Sequence, residues 1–295
     1  MRKIDILTGL LIFLSLNLWS QQEGIVSQYR QQMALFNPAA VSVDGVSRLS
    51  VLHRRQWTNL PSAPVSTSLT YGFYAGKNVG LGLSVVTDKV FIEQRTFVGI
   101  DYSYKIQLDE LTNLYLGIKA GGDFYSLDTS GLNTYTPFYV DPSLNSMSSF
   151  TTNLGIGAYL TKGAFYISVG IPRMLSTERT KITSDRATSV RDLLHIYSAI
   201  GYDFVLHKVQ DIHLKPSIFT RNVIGAPTSI DLNTMVRFMD RFEVGATVRS
   251  GGNYAGIAQV DITETMQFGW TYEVNSRPEM SSIGDSFEFI LLYEF

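Results

Sequence analysis

Chemistry in this chain would have to begin with its four histidines, His53, His195, His207 and His213. A zinc site needs two histidines at helical or strand spacing, and neither that spacing nor an H-E-x-x-H motif occurs. His207 falls in an expected turn, while His53 and His195 suit polar positions inside a barrel. A serine nucleophile would sit on a G-x-S-x-G elbow, which is absent. Ser198 and His195 fall on opposite faces of a strand and form no nucleophile–base pair. Gly80-Leu-Gly82 supplies only two glycines of a nucleotide fingerprint, with no helix after it. Asp44-Gly45 and Asp141-Pro142 are turn signals, and no D-x-D-x-D-G calcium loop exists. The absence of cysteine removes thiolate ligands and disulfides. The expectation is a non-enzyme with no cofactor and no metal site.

Recognition is the chemistry left. His53-Arg54-Arg55-Gln56-Trp57 is followed by Leu60-Pro61-Ser62-Ala63-Pro64. Arg54 and Arg55 beside Trp57 read either as an aromatic girdle with loop charges or as organisers of a polar network in a barrel mouth. In the second reading, guanidinium forks fix carboxylates or loop carbonyls. Residues 127–150 are rich in Tyr, Ser, Thr and Asn, and Tyr135, Phe138 and Tyr139 are candidate partner-binding anchors. Aromatic residues dominate binding hot spots, although the same three rings could fold inward and close a pore.

Strands must hold these residues in place. In the last ten residues, Phe287, Phe289, Leu291, Tyr293 and Phe295 share one face, and Glu288, Ile290, Leu292 and Glu294 share the other. Such alternation suits a lipid-facing barrel strand, and a terminal Phe resembles the signal by which outer-membrane barrels are recognised for insertion. Val98, Ile100, Tyr102, Tyr104, Ile106 and Leu108 repeat the pattern. The opposite faces carry Gly, Ser, Thr, Asn and scattered charges, as a narrow lumen filled by side chains requires. A soluble sandwich has the same period, but normally with denser charge on its wet faces.

Read this way, the chain gives about fourteen strands of about 9–11 residues each. Their centres are Ser50, Leu69, Leu83, Asp101, Ile118, Ile156, Ser168, Ser198, Ser217, Asn233, Ala246, Gly256, Gly269 and Leu291. With both termini periplasmic, the outer connections include 54–64, 89–95, 127–150, 173–191, 222–227 and 275–285, with 251–253 a short exception. The inner ones are 75–78, 109–111, 161–163, 207–211, 239–241 and 262–265. Long outer loops and short periplasmic turns are the outer-membrane barrel pattern.

Arg2 and Lys3, an apolar run from Ile6 to Leu18 and the polar stretch after Ser20 read as a cleaved signal over residues 1–20. Residues 21–46 follow as a segment that either crosses the periplasmic mouth or plugs the lumen, and 47–295 form the barrel. The mature charge is 22 basic against 25 acidic residues, or −3, which makes no case for nucleic acid. After the signal no run of about 18 apolar residues could form a transmembrane helix.

The ordered set of short boxes resembles the PorP/SprF family of type IX secretion system outer-membrane proteins. Phe36-Asn37-Pro38-Ala39, Arg54-Arg55-Gln56-Trp57, Ala63-Pro64, Asn78-Val-Gly-Leu-Gly-Leu-Ser84, Asp88-Lys89, Leu116-Gly-Ile-Lys-Ala-Gly121, Asp141-Pro142-Ser143 and Asn153-Leu-Gly-Ile-Gly157 carry it. The basic pair His53-Arg54 departs from the more aromatic or apolar stretch expected there. The resemblance implies an integral outer-membrane barrel in gliding or type IX-secreting bacteria. Some members hold the C-terminal domain of a large secreted adhesin at the cell surface. Others serve the secretion machinery with a periplasmic, peptidoglycan-linked partner. No catalytic residue is implied. The expected function is a surface anchor in outer-membrane lipid. The alternatives are a structural part of the machinery or a passive pore; an outer-membrane enzyme and a soluble adhesin fit less well.

Overall fold

An extended chain sends residues i and i+2 to one face, so a period-two sequence with one apolar face yields a sheet that must bury or solvate that face. The computed structural model describes residues 26–129, 146–175, 178–183, 186–191, 193–277 and 282–295. The expected signal at 1–20, the anchors Tyr135, Phe138 and Tyr139, and the Asp141-Pro142-Ser143 box lie outside the described residues.

The strands are β1 (Arg48–Arg55), β2 (Val65–Gly76), β3 (Val79–Val90), β4 (Glu93–Gln107), β5 (Thr112–Leu127), β6 (Met147–Lys162) and β7 (Phe165–Ile171). Then come β8 (Glu178–Thr183), β9 (Arg186–Arg191), β10 (His195–Tyr202), β11 (Phe204–His207), β12 (Ile212–Val223) and β13 (Ser229–Phe238). The last four are β14 (Phe242–Arg249), β15 (Asn253–Asp261), β16 (Met266–Asn275) and β17 (Ser286–Glu294).

All wall pairings are antiparallel. β1 pairs with β17, and β10 with β12, which closes the sheet into a barrel. The sheet's 15 strands fill fourteen wall positions, because β10 and β11 are one span interrupted at Asp203. Asp203 leaves the ladder to donate its N–H to the Ala164 carbonyl at 3.0 Å. All fourteen expected strand centres fall inside wall strands.

The outward face is apolar: Ile100 is 65% exposed and Ile118 59%. A continuous apolar band around a closed barrel is a surface for lipid, and the barrel places the protein in an outer membrane. At one end the connections are tight. Lys77 and Asn78 both take positive φ, as a type I′ hairpin needs. Asp109 accepts from the Leu111 and Thr112 amides at 2.9 and 2.7 Å, which closes its turn. These bonds, the Leu111 amide foremost, hold its carboxyl below the usual carboxylate range. Phe295 also ends here, its N–H donating to the Ser47 carbonyl at 3.0 Å. Residues 56–64, 128–146, 172–194 and 276–285 connect strands at the opposite end. By the usual arrangement the tight end is periplasmic.

Four details differ from the sequence reading. Residues 89–95 are no outer loop: β3 and β4 continue through them, with Val90 opposite Glu93 and only two residues turning. Residues 173–191 contain an extra hairpin, β8–β9, that pairs with neither wall edge. β4, β5 and β6 have 15, 16 and 16 residues, not 9–11, and rise above the rest of the wall. His53 faces outward, not into the lumen, and its Nδ1 lies 2.9 Å from Thr67 Oγ1.

Candidate functional site

Residues 26–46 occupy the lumen. They start level with Glu288, near the loop end of β17, and descend to the periplasmic end through three short 3-10 turns, Tyr29–Leu35, Pro38–Ala40 and Val43–Gly45. Val26, Tyr29, Met33 and Phe36 pack against inward Leu52, Tyr197, Phe219 and Ile290. The Tyr29 ring stacks on Phe219 at 4.4 Å, and its hydroxyl bonds Ser217 at 2.7 Å. Gln32 reaches Ser50 Oγ at 3.0 Å and accepts from Ser68 at 2.6 Å. A plug so short has little core of its own, so bonds to the wall satisfy buried polar groups such as those of Tyr29 and Gln32.

Glycines make the room. Gly117 opposes Gly157, and Gly157 opposes Gly170, which leaves a strip without side chains across β5, β6 and β7. Asn37-Pro38-Ala39 lies on that strip. A Cβ on Gly157 would meet the Asn37 amide and come within 3.0 Å of Pro38, and one on Gly117 would overlap the Ala39 backbone. Asn37 is fixed there: its Nδ2 donates to Ser168 Oγ at 2.7 Å and to the Ala158 carbonyl at 2.8 Å, and its Oδ1 caps the turn at the Ala39 amide. Gly72 and Gly82, also cross-strand partners, receive Val41 in the same way.

Ion clusters line the lumen above and beside the plug. Arg54 meets Glu288, its cross-strand partner, and Glu273 at 3.1 Å. Arg249 bonds its partner Asp231 at 2.8 Å and Glu273 at 3.1 Å. Glu288 also accepts from the Ser27 amide at 2.8 Å, and Glu273 from Ser27 Oγ at 3.1 Å and Asn253 at 2.7 Å. The plug is therefore tied into the same network. Across the lumen, Lys119 holds Asp101 at 3.2 Å, Ser84 at 2.7 Å and the Ala34 carbonyl at 3.2 Å. Arg95 and Arg173 converge on Asp123 at 2.7 and 3.4 Å. Burying ions is costly unless each is paired, and each of these faces an opposite charge.

The expected site residues separate. Arg54 is 1% exposed and turned inward, so it belongs to the polar network of the mouth and offers nothing to a partner at the surface. Arg55, its neighbour in an alternating strand, is exposed on the outer face. Trp57 sits half-buried in the loop after β1 at φ 50, and its carbonyl accepts from the Leu60 amide at 2.9 Å. Of the histidines, His195 faces the lumen beside Tyr197. His207 ends β11 rather than lying in a turn, and its Nδ1 accepts from the Gln210 amide at 3.1 Å. His213 sits between Asp203 and Asp211 at 2.6 and 3.1 Å. Among the described residues no three His, Asp or Glu side chains gather where a metal could sit.

Sequence reasoning missed Glu273, Glu288, Arg249 and Asp231 as one cluster. Their inward parity was readable, but the pairing needs the register between strands far apart in sequence.

A family model described as type IX secretion system membrane protein PorP/SprF matches residues 19–293. Among solved structures, the CymD monoaromatic hydrocarbon channel superposes with a TM-score of 0.51 at 11% identity, over 90% of this chain and 91% of that one. A FadL homologue from Pseudomonas aeruginosa gives 0.50 at 11% identity, over 89% and 93%. Omp33 of Acinetobacter baumannii gives 0.48 at 13% identity, over 85% and 99%. At such identities the likeness is one of fold. Comparison with curated proteins gave no match.

Proposed function

The chain belongs to the PorP/SprF family of type IX secretion system membrane proteins, and from that premise we propose that it is a non-enzymatic anchor that holds a secreted surface protein, through the C-terminal domain of an adhesin, at the outer face of the outer membrane. The observation that carries this reading is the occupied lumen. Residues 26–46 fill it and are bonded to the wall at several levels, so recognition falls to the rim and the loops above it. Loops on a rigid scaffold are where binding residues concentrate.

The loop between β5 and β6, with Tyr135, Phe138 and Tyr139, and the segment carrying β8–β9 are the largest outer connections. Arg55 ends the strand before the 56–64 loop and Trp57 lies within that loop. Arg54 contributes from within, by fixing the mouth. The filled lumen disfavours a passive pore. A part played with periplasmic components of the machinery uses the opposite face and is compatible with anchoring.

Shortening residues 128–146 to a tight turn tests the reading. The barrel should stay folded and heat-modifiable, and the secreted partner should pass from cells to medium. Retention of the partner by a folded, shortened barrel would refute the assignment to this loop. Conductance appearing in its place would make the loop a pore closure.

A further inference from the structure

We propose that the periplasmic mouth carries a second recognition site, a small polar cavity that binds the carboxylate of a peptide presented from the periplasm. This is independent of the surface-anchor reading, since it uses the other end of the barrel.

The cavity has a volume of about 260 Å3, and its walls include Ser42, Tyr74, Asn78, Ser103, Lys105 and Tyr115. It exists because the plug turns away just above the mouth. Ser42 takes the left-handed conformation at φ 50 and ψ 36. The Gly45 amide then closes the bend on the Ser42 carbonyl at 3.1 Å. Gly80 lets the bend pass close, since a Cβ there would lie 2.8 Å from the Val41 carbonyl. The space beyond the bend, between the plug and β4–β5, stays open at the tight-turn end.

Lys105 supplies the charge. It shares the inward face of β4 with Asp101 and Ser103, and its Nζ stands 5.9 Å from the centroid of the Tyr115 ring. Inward Arg54, Lys119, Lys215, Arg237 and Arg249 each meet a carboxylate. Among the described residues Lys105 meets none. Asp109, in the turn that follows β4, is engaged by the amides of its own turn. The rest of the wall is ordered: Ser103 is 1% and Tyr115 3% exposed, and Ser103 donates to the Ala39 carbonyl at 3.1 Å.

One ammonium with neutral hydroxyl and amide neighbours matches a single negative charge. A phosphate is usually met by forked guanidinium groups or several converging amides, which this site lacks. Tyr74, 41% exposed, offers ring surface to an apolar body beside the carboxylate. The volume lies below the range of about 300–1,000 Å3 typical of drug-sized pockets, so it suits one residue, such as a C-terminal residue, and excludes a folded domain.

The full-length barrel in detergent micelles can be titrated with N-acetyl-phenylalanine and, separately, with its primary amide, followed by saturation-transfer NMR. The acid should bind with a dissociation constant on the order of a millimolar, and the amide at least about tenfold more weakly. Lys105→Met should remove the difference between the two probes, and Lys105→Arg should keep it. Asn78→Ala, at the rim, should weaken the acid if Lys105→Met does not fold. Equal affinity for acid and amide in the unaltered protein, no binding of either probe, or an acid preference that survives Lys105→Met in a folded barrel would overturn the proposal.

Discussion

Arg54 and Arg55 differ in role because they are neighbours in a strand. Alternation sends one to each side, so a pair that reads as a single basic patch becomes one buried ion and one surface ion. The buried one holds two carboxylates, those of Glu273 and Glu288. Replacing Arg54 with Met should leave Glu273 and Glu288 short of a cation and destabilise the barrel by about 3 kcal/mol, the lower part of the range for a broken buried pair. The lower part applies because Arg249 and the Ser27 amide still serve them. Arg55→Ala should stay within about 0.5 kcal/mol. Urea unfolding of both variants in lipid vesicles checks this, and equal midpoints would remove Arg54 from any structural role. The sequence displays both arginines and allows a polar network among its readings. It does not display the pairing with Glu288, which lies 234 residues further along and becomes the partner only through closure of β1 on β17.

The relation between plug and wall belongs to elements rather than residues. The Phe36-Asn37-Pro38-Ala39 box and the glycine boxes of β5 and β6 are readable separately in the sequence. Their connection is physical contact: the box lies on the strip made by Gly117, Gly157 and Gly170. Pairing register puts those glycines side by side, and no spacing within one strand reveals it. Gly157→Val should therefore displace the plug while leaving the ladder bonds of β6 intact. Overpacking of this kind costs about 1–3 kcal/mol, less than a barrel needs to unfold but enough to loosen a short segment. The expected result is a folded, heat-modifiable barrel with new conductance in planar bilayers. A variant as silent as the parent would mean that the plug tolerates the methyl groups or that other contacts seal the lumen. The other element that departs from expectation, the continuous β3–β4 hairpin through residues 89–95, was hidden by its charges. Asp88, Lys89, Glu93 and Arg95 look like a loop, yet all four lie in the ladder, and Asp88 stands directly opposite Arg95, where opposite charges support pairing.

At the scale of the whole molecule the wall is uneven. A span of about 30 Å needs roughly 9–11 tilted residues, and β5 and β6 have 16 each. At about 3.3 Å per residue the excess runs roughly 16–23 Å along each tilted strand. Phe124 and Phe150, tilted against each other with ring centroids 4.7 Å apart, lie on this extension. The counts of strands and the side of each connection were legible in the sequence, because inside and outside alternate with a fixed period. The uneven height was not, because a strand outside the bilayer keeps the same period. The extension carries Leu127 and Met147, the paired strand ends that the 128–146 connection joins, past the rest of the wall on one side of the mouth. A partner bound there would be held off-centre, away from the plug. The orientation itself is open to a direct check. A cysteine at Thr183, at the turn of the β8–β9 hairpin, should react with a membrane-impermeant maleimide on intact cells. A cysteine at Lys162, where β6 turns into β7, should react only after the outer membrane is opened. The chain has no native cysteine to confuse the result. Labelling at Lys162 with protection at Thr183 would turn the barrel over, place the long connections in the periplasm and reassign the Lys105 cavity to the cell surface.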